Sequence, residues 1–234
     1  MKKNIYFIIK MLLAMTAFSI VFCQGCALIG IFGSETSSEK KIPAEIRLFP
    51  GKTVDKNKKL LVLIRQPSYL NAPPLLTQIL TEQIQVRLVA NAVLSPVNLV
   101  GSDAFAQFRK STPSFYAMSP QELGKALNAD WILVADLNVF QLANIEDTAY
   151  CSGELSGRVF LIEVAGDRQL WPANAAGRKI DVGFDIEKRG AKPAFERLAS
   201  SFAHCATRYF YDCPRNRFKI SDEKTVSELS QFGY

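Results

Sequence analysis

Histidine is nearly absent from this sequence, since His204 is the only one in 234 residues. Side-chain catalysis needs a nucleophile with a base, paired carboxylates or a metal ion. His204 follows Phe195 by nine residues, so at about 100° per residue it falls opposite the apolar stripe of the predicted last helix. We therefore expect His204 to face solvent and Cys205 to point away from it. The pattern favours a protein that is not an enzyme, and no cofactor is expected.

Cysteine is too sparse beyond the leader to build a metal site. Cys151, Cys205 and Cys213 remain there, and seven residues separate the last two. That spacing, in a chain with one histidine, does not match the ligand pattern of zinc, so no metal is expected. An oxidising compartment would permit a disulfide between Cys205 and Cys213, which would fasten the end of the last helix. The alternative is that all three thiols are reduced.

Basic clusters and phosphate-binding loops are also missing. The formal net charge is +6, and it falls to +3 once the three lysines of the leader, Lys2, Lys3 and Lys10, are set aside. No block of lysine and arginine is interleaved with aromatic residues, so nucleic acid is not expected as a partner. Gly153–Gly157 lacks the lysine of a phosphate loop and the glycine spacing of a dinucleotide-binding fingerprint. The apolar content of 48% excludes a disordered chain.

What the sequence does contain is a leader of three parts. Met1–Asn4 carries two lysines, Met11–Phe22 is an uninterrupted apolar run, and the small residue Gly25 precedes Cys26. This order is typical of a secretory signal peptide, whose apolar run spans roughly 7–15 residues. The lysines keep the N-terminus in the cytoplasm, and we expect the rest of the chain outside it.

The step from Gly25 to Cys26 resembles the lipobox of bacterial lipoproteins. The resemblance implies diacylglycerol on the Cys26 sulfur, cleavage between the two residues, and a further acyl chain such as palmitate on the new amino group. Cys23 and Gln24 stand where that family usually has leucine and a small residue. The alternative is an uncleaved membrane anchor, because Met11–Gly33 at about 1.5 Å per residue is long enough to span a ~30 Å hydrocarbon core.

Composition divides the chain into four predicted parts. Residues 1–25 form the signal peptide, 26–57 a lipid-anchored polar tether, 58–212 a globular domain and 213–234 a polar C-terminal tail. Ala27, just after the lipid cysteine, is not the aspartate that resembles an inner-membrane retention signal in enteric bacteria. We therefore expect the domain in the periplasm, anchored to the outer membrane of a cell envelope.

The domain alternates strand-like and helix-like patterns. Lys59–Arg65 is apolar on both faces and indicates a buried central strand, while Ser119–Glu122 is a capping box that begins a helix. Early crossovers predict parallel strands and late hairpins predict antiparallel ones. The fold class is therefore α/β (α+β), a single mixed sheet of about five to six strands with helices packed on it. The predicted strands are Lys59–Arg65, Val93–Val97, Asp130–Phe140, Cys151–Val164, Arg168–Trp171 and Gly177–Glu187, and the longest predicted helices begin at Pro73, Ser119 and Pro193.

The segment Glu122–Val134 carries a resemblance to a known family. Its amphipathic helix leads through Ala129-Asp130 into an apolar strand. This is similar to the periplasmic α/β domain shared by CsgG-type curli-secretion lipoproteins, LpoB-type penicillin-binding-protein activators and the TolB N-terminal domain, of the anticodon-binding/TolB-N-like type. Lys59–Arg65, Gln169–Trp171 and the helix from Pro193 resemble the flanking elements of that domain.

The resemblance implies an envelope protein that acts by contact, as a non-catalytic binding or assembly module for another envelope protein. The long amphipathic hairpins with which a curli-type protein builds a pore are missing, so a channel is not expected. The alternative is a small-ligand-binding or hydrolytic domain that uses Asp130 and Asp136. These aspartates flank a buried strand, where a carboxylate can bind a metal or act as a base, but where it more often ends the strand or caps a helix.

Overall fold

The computed structural model describes residues 40–49, 57–144, 150–187 and 191–224. The predicted signal peptide and the predicted lipid site at Gly25 and Cys26 lie outside the described residues. The strands are β1 Lys41–Ile42, β2 Leu60–Arg65, β3 Trp131–Asn144, β4 Cys151–Glu163, β5 Arg168–Trp171, β6 Arg178–Glu187 and β7 Cys213–Pro214. The helices are α1 Leu75–Ala90, α2 Ser102–Ser111, α3 Pro120–Ala126, α4 Ala191–Thr207 and the short α5 Arg215–Phe218.

One mixed sheet of five strands forms the centre of the domain. Its order is β2-β3-β4-β5, and β6 pairs with the other end of β4. β2 and β3 are parallel, from Leu60 beside Trp131 to Arg65 beside Asp136. The parallel pair needs a crossover, which contains α1, α2 and α3. The remaining pairs are antiparallel; β4 follows β3 and β5 follows β4 along the chain, whereas β6 comes after β5 and returns to pair with β4. The predicted fold class is confirmed.

The two faces of the sheet carry apolar cores of different size. α1 and α4 cover one face, and α1 buries Leu76, Leu80, Ile84 and Leu88 there at the predicted helical spacing. α2 and α3 cover the other face over a smaller core that includes Ile132, Val134, Ile162 and Val164. α3 begins at the predicted capping box, in which the Glu122 amide donates to Ser119 Oγ at 3.2 Å. α3 packs tightly against the sheet at Gly124, where an added Cβ would lie 2.6 Å from the side chain of Val164.

The predicted strand Val93–Val97 is wrong. The Val93 amide donates to the Leu88 carbonyl, which closes the end of α1, and Pro96–Asn98 forms a 3-10 turn. Proline lacks the amide proton that a strand interior needs, and this explains the turn. The Asn98 side chain is buried there and its Nδ2 donates to the Lys58 carbonyl at 2.8 Å, beside β2.

The folded unit extends beyond the predicted range 58–212 at both ends. β1 and β7 form an antiparallel pair in which Ile42 lies beside Cys213. Glu45 then accepts hydrogen bonds from Trp171 Nε1 at 2.8 Å and from Arg178 at 2.6 Å. Residues that composition assigns to the tether and the tail therefore take part in the domain. Composition does not indicate this, because the partners of these residues lie far away in the sequence.

Candidate functional site

The two strand-end aspartates are held by basic neighbours. Asp130 Oδ1 accepts from Lys58 Nζ at 2.7 Å, and its Oδ2 accepts from the Lys59 amide at 2.9 Å. Asp136 forms a bidentate ion pair with Arg65. These two ion pairs lie at opposite ends of the parallel pairing of β2 with β3. This geometry gives both carboxylates a structural task, so it offers no support for the hydrolytic or ligand-binding alternative.

The structure has no disulfide between Cys205 and Cys213, the pairing that an oxidising compartment would permit. Both are reduced thiols, and both are buried, as is Cys151. Cys205 packs in the main core, and burial raises its pKa to about 12, which keeps it protonated. The chain does not fold Cys213 back onto the helix end, because a 3-10 turn at Arg208–Phe210 carries it into β7 beside Ile42.

His204 is buried, so its predicted exposure to solvent is wrong. Only 8% of the residue is exposed. The reason is the chain after β7, residues 215–224, which we call the C-terminal strap; it folds back over this side of α4. Burial lowers the pKa of His204 and the positive charge of Arg87 lowers it further, so the imidazole is neutral at pH 7.

The C-terminal strap is held by ion pairs and by main-chain bonds. Asp222 accepts from Arg197 Nε at 2.8 Å and from Ser201 Oγ at 2.8 Å. Glu223 accepts from both terminal nitrogens of Arg208, at 2.6 and 2.7 Å. The Asp222 carbonyl also accepts from the Gly183 amide at 2.7 Å, so the strap lies along the outer edge of β6.

The sequence does contain a pattern that could have predicted the strap: a second, polar stripe of residues along α4. Arg197, Ser201, His204 and Arg208 follow one another at steps of four, three and four residues. That spacing places them on one side of a helix, opposite the apolar stripe. Such a stripe is usually solvated, and only the acids Asp222 and Glu223 downstream indicate that it has a partner.

A cleft of about 490 Å³ opens where α1, α4 and the C-terminal strap meet. Arg87 reaches it from α1 and donates to Ser200 Oγ at 2.7 Å. Two buried nitrogens of its lining side chains, Arg87 Nε and His204 Nε2, have no hydrogen-bond partner. The lining residues are Arg87, Ser200, Ser201, His204, Asn216, Arg217, Lys219, Ile220, Ser221 and Asp222.

A second surface feature is an aromatic cluster on the thinner side of the sheet, which we call the aromatic patch: Phe105, Phe108, Phe115 and Tyr116. The Phe115 ring centroid lies 5.5 Å from that of Phe105 and 5.2 Å from that of Tyr116, in edge-on contacts. Tyr116 is 86% exposed, and the three phenylalanines are half-buried. α2 itself buries no residue completely. The patch is therefore a contiguous group of rings within reach of solvent.

Among the described residues, no three histidine, cysteine, aspartate or glutamate side chains come together as metal ligands. The helices of the described ranges also include none with the length and apolar character needed to cross a bilayer.

No family model matches this chain, and neither does any curated protein. Solved structures that are similar to it include a point variant of the PelC dodecamer from Paraburkholderia phytofirmans, at 10% identity and a TM-score of 0.40, with 70% of this chain and 96% of that chain covered. The lipoprotein GNA1162 from Neisseria meningitidis is similar at 12% identity and a TM-score of 0.41, covering 61% and 93%.

The LpoB C-terminal domain from Salmonella enterica is similar at 16% identity and a TM-score of 0.31, covering 58% of this chain and 87% of that one. The structures similar to this chain thus include a bacterial lipoprotein and a member of the group that Glu122–Val134 resembles. At these TM-scores the likenesses carry no conclusion about what this chain binds.

Proposed function

We propose that this chain is an envelope lipoprotein whose domain is a non-catalytic binding module for another envelope protein. Its leader would be removed after Gly25, and acyl chains on Cys26 would hold it in the periplasm at the outer membrane. The observation that carries the binding function is the aromatic patch. The three-part leader carries the anchor, and two or three acyl chains hold a protein far more firmly than one.

The aromatic patch has the chemistry of a protein contact. Aromatic rings are enriched at the centres of interfaces, where they bury a large area at low entropic cost. Here the three phenylalanines pack against the small core, and Tyr116 contacts Phe115 while its own side chain remains strongly exposed. Arg109 and Lys110 are exposed at the end of α2 beside them. The expected partner surface is therefore apolar at its centre and acidic at its rim.

The anchor is tested by the mass of the mature protein from a native envelope. We expect residues 26–234 with diacylglycerol and a further acyl chain on Cys26. A mass that includes Met1 would contradict cleavage and would favour the uncleaved anchor instead. Cys26→Ser should leave an unprocessed, unacylated chain.

The contact surface is tested by placing a photo-crosslinking phenylalanine analogue at position 116, in the full chain at native expression. We expect a discrete crosslinked product with an envelope protein. The matched control is position 69, because Tyr69 is also a strongly exposed tyrosine, 75% exposed, and lies outside the aromatic patch. Equal products from both positions, or none from position 116, would contradict the proposal.

A further inference from the structure

The cleft at the C-terminal strap gathers side chains from three separate elements. Arg87 comes from α1, Ser200 and His204 come from α4, and Arg217 and Lys219 come from the strap. Arg87 lies 113 positions before Ser200, so only the folded chain brings it to the other four residues. None of them belongs to the aromatic patch, and the cleft is therefore independent of the function proposed above.

The charge of the cleft is positive. Arg87, Arg217 and Lys219 line it, against a single lining carboxylate, that of Asp222. Asp222 is already occupied, because Arg197 from beside the cleft and Ser201 within it both donate to this carboxylate. The positive charges of the lining are thus not matched by a free negative charge among the residues that line it.

Two nitrogens of side chains that line the cleft are buried and have no hydrogen-bond partner. They are Arg87 Nε and His204 Nε2, and His204 is only 8% exposed. A buried polar group that lacks a partner is costly, so it calls for an explanation such as a bound water, ion or ligand. The backbone of Arg217 and Phe218 also acts on the imidazole and favours its charged form. Both ring nitrogens of a protonated histidine are donors, so protonated His204 could donate from Nε2 to a bound anion.

We propose that this cleft binds a tetrahedral oxyanion, the phosphate group of a small phosphorylated molecule or of a phospholipid headgroup. Arg87 and Arg217 would donate to the oxyanion as planar forks, Lys219 would contribute a point charge, and the Ser200 hydroxyl would donate to a third oxygen. His204 would complete the site once it is protonated. The strap is part of the site, so an empty cleft and a filled one differ in how firmly the strap is held.

Binding should be coupled to protonation of His204. The groups that act on its imidazole are Arg87 from α1, Arg208 from the turn after α4, and the backbone of Arg217 and Phe218 from the strap. Both arginines disfavour the imidazolium. A bound oxyanion would oppose them and favour it, and the linkage is reciprocal. Affinity for the oxyanion should therefore rise as the pH falls.

The single histidine makes the test direct. In the tag-free full chain, kept in non-ionic detergent, the His204 Hε1 proton gives one resonance, because no other histidine is present. We expect inorganic phosphate to shift this resonance saturably. Arg217→Ser should weaken binding by about tenfold or more, since the loss of even one charge-assisted hydrogen bond has about that effect. Arg109→Ser, which removes an exposed arginine from α2, should leave the affinity unchanged.

The two sources of phosphate are separated by a second titration, with dihexanoyl phosphatidylglycerol below its micelle concentration. Saturation by inorganic phosphate alone assigns a small soluble ligand, and saturation by the lipid alone assigns a headgroup; either supports the site. No saturable shift with either probe would overturn it, as would equal losses in Arg217→Ser and Arg109→Ser. Should Arg217→Ser fail to fold, Lys219→Ser supplies the same comparison.

The coupling to His204 is tested with sulfate, whose charge stays constant between pH 5.5 and pH 8. Wild-type protein should bind sulfate more tightly at the lower pH, and His204→Gln should lose that dependence while it still binds. A sulfate affinity that is independent of pH in the wild type would remove His204 from the site.

Discussion

The two sides of α4 are held by different forces. Its inner side packs on the sheet through Ala194, Leu198, Ala199, Phe202 and Ala206, all fully buried. Its outer side, with its continuation to Arg208, lies under the C-terminal strap and is held by hydrogen-bonded ion pairs. Apolar burial is non-directional and scales with area, whereas an ion pair depends on both of its partners. One helix thus serves as core on one side and as a polar binding surface on the other.

The largest expected effect is on the inner side. Phe202→Ala should lower the free energy of unfolding by about 3–5 kcal/mol, because it removes a fully buried ring and leaves a cavity under the sheet. Urea denaturation followed by circular dichroism measures this change. A loss below about 1 kcal/mol would mean that the inner side is not the main attachment of α4.

The outer side should follow with a smaller loss. Asp222→Ala removes the acceptor of Arg197 and Ser201, and we expect about 2–3 kcal/mol, below the usual 3–5 kcal/mol of a buried pair because Arg197 is partly exposed. Arg197→Met in the same chain should recover part of this loss, since it removes the cation that has lost its Asp222 carboxylate. Strictly additive losses in the double variant would show that the pair is not coupled.

The pH dependence of stability should distinguish the two sides further. The pKa of His204 is lowered in the folded state by burial and by Arg87, so the unfolded chain binds the proton more readily. His204 therefore contributes stability that is complete above the ordinary imidazole range, near pH 6.5, and is lost as the pH falls through it. Unfolding by urea at pH 8 and pH 5.5 should show a decrease in wild type that is smaller in His204→Gln. An equal decrease in both proteins would assign it to other groups.

The smallest effect should come from an ion pair that lies outside this comparison. Arg47 and Asp212 are separated by 2.6 Å, but their side chains are 54% and 44% exposed. Exposed pairs are screened by solvent, so Arg47→Ala should cost about 0.5 kcal/mol or less. A loss as large as that of Asp222→Ala would mean that exposure does not separate strong pairs from weak ones in this protein.

Local patterns were enough to predict most of the sheet and its main helices. The apolar run of β2, the spacing of Leu80 and Ile84 in α1, and the capping box at Ser119 each depend on residues within a few positions of one another. The failed strand at Val93–Val97 had the right composition, but Pro96 supports a turn there. A strand prediction that rests on apolar composition fails where a proline in the segment cannot donate the backbone hydrogen bond that a strand requires.

The candidate site was beyond prediction because one of its residues, Arg87, is distant in the sequence and because the strap covers the others by a fold-back that no local pattern shows. Arg87 lies on α1, while Ser200 beside it lies 113 positions later. The outward position of His204 on its helix was derived correctly, yet it does not decide burial, since the strap covers that side. Helical periodicity reports which residues share a side, and it cannot report what covers them.

The pairing of β1 with β7 has a mechanical consequence. Any tension that enters the domain from the N-terminal direction reaches Lys41 first and pulls on a ladder of only two residue pairs, which peels apart one pair at a time. Beyond it, Glu45 is clamped by Trp171 and Arg178, and Arg178 also lies over the Tyr209 ring at 4.7 Å. Tension that separates β1 from β7 would thus be passed next to β5 and β6, through Trp171 and Arg178.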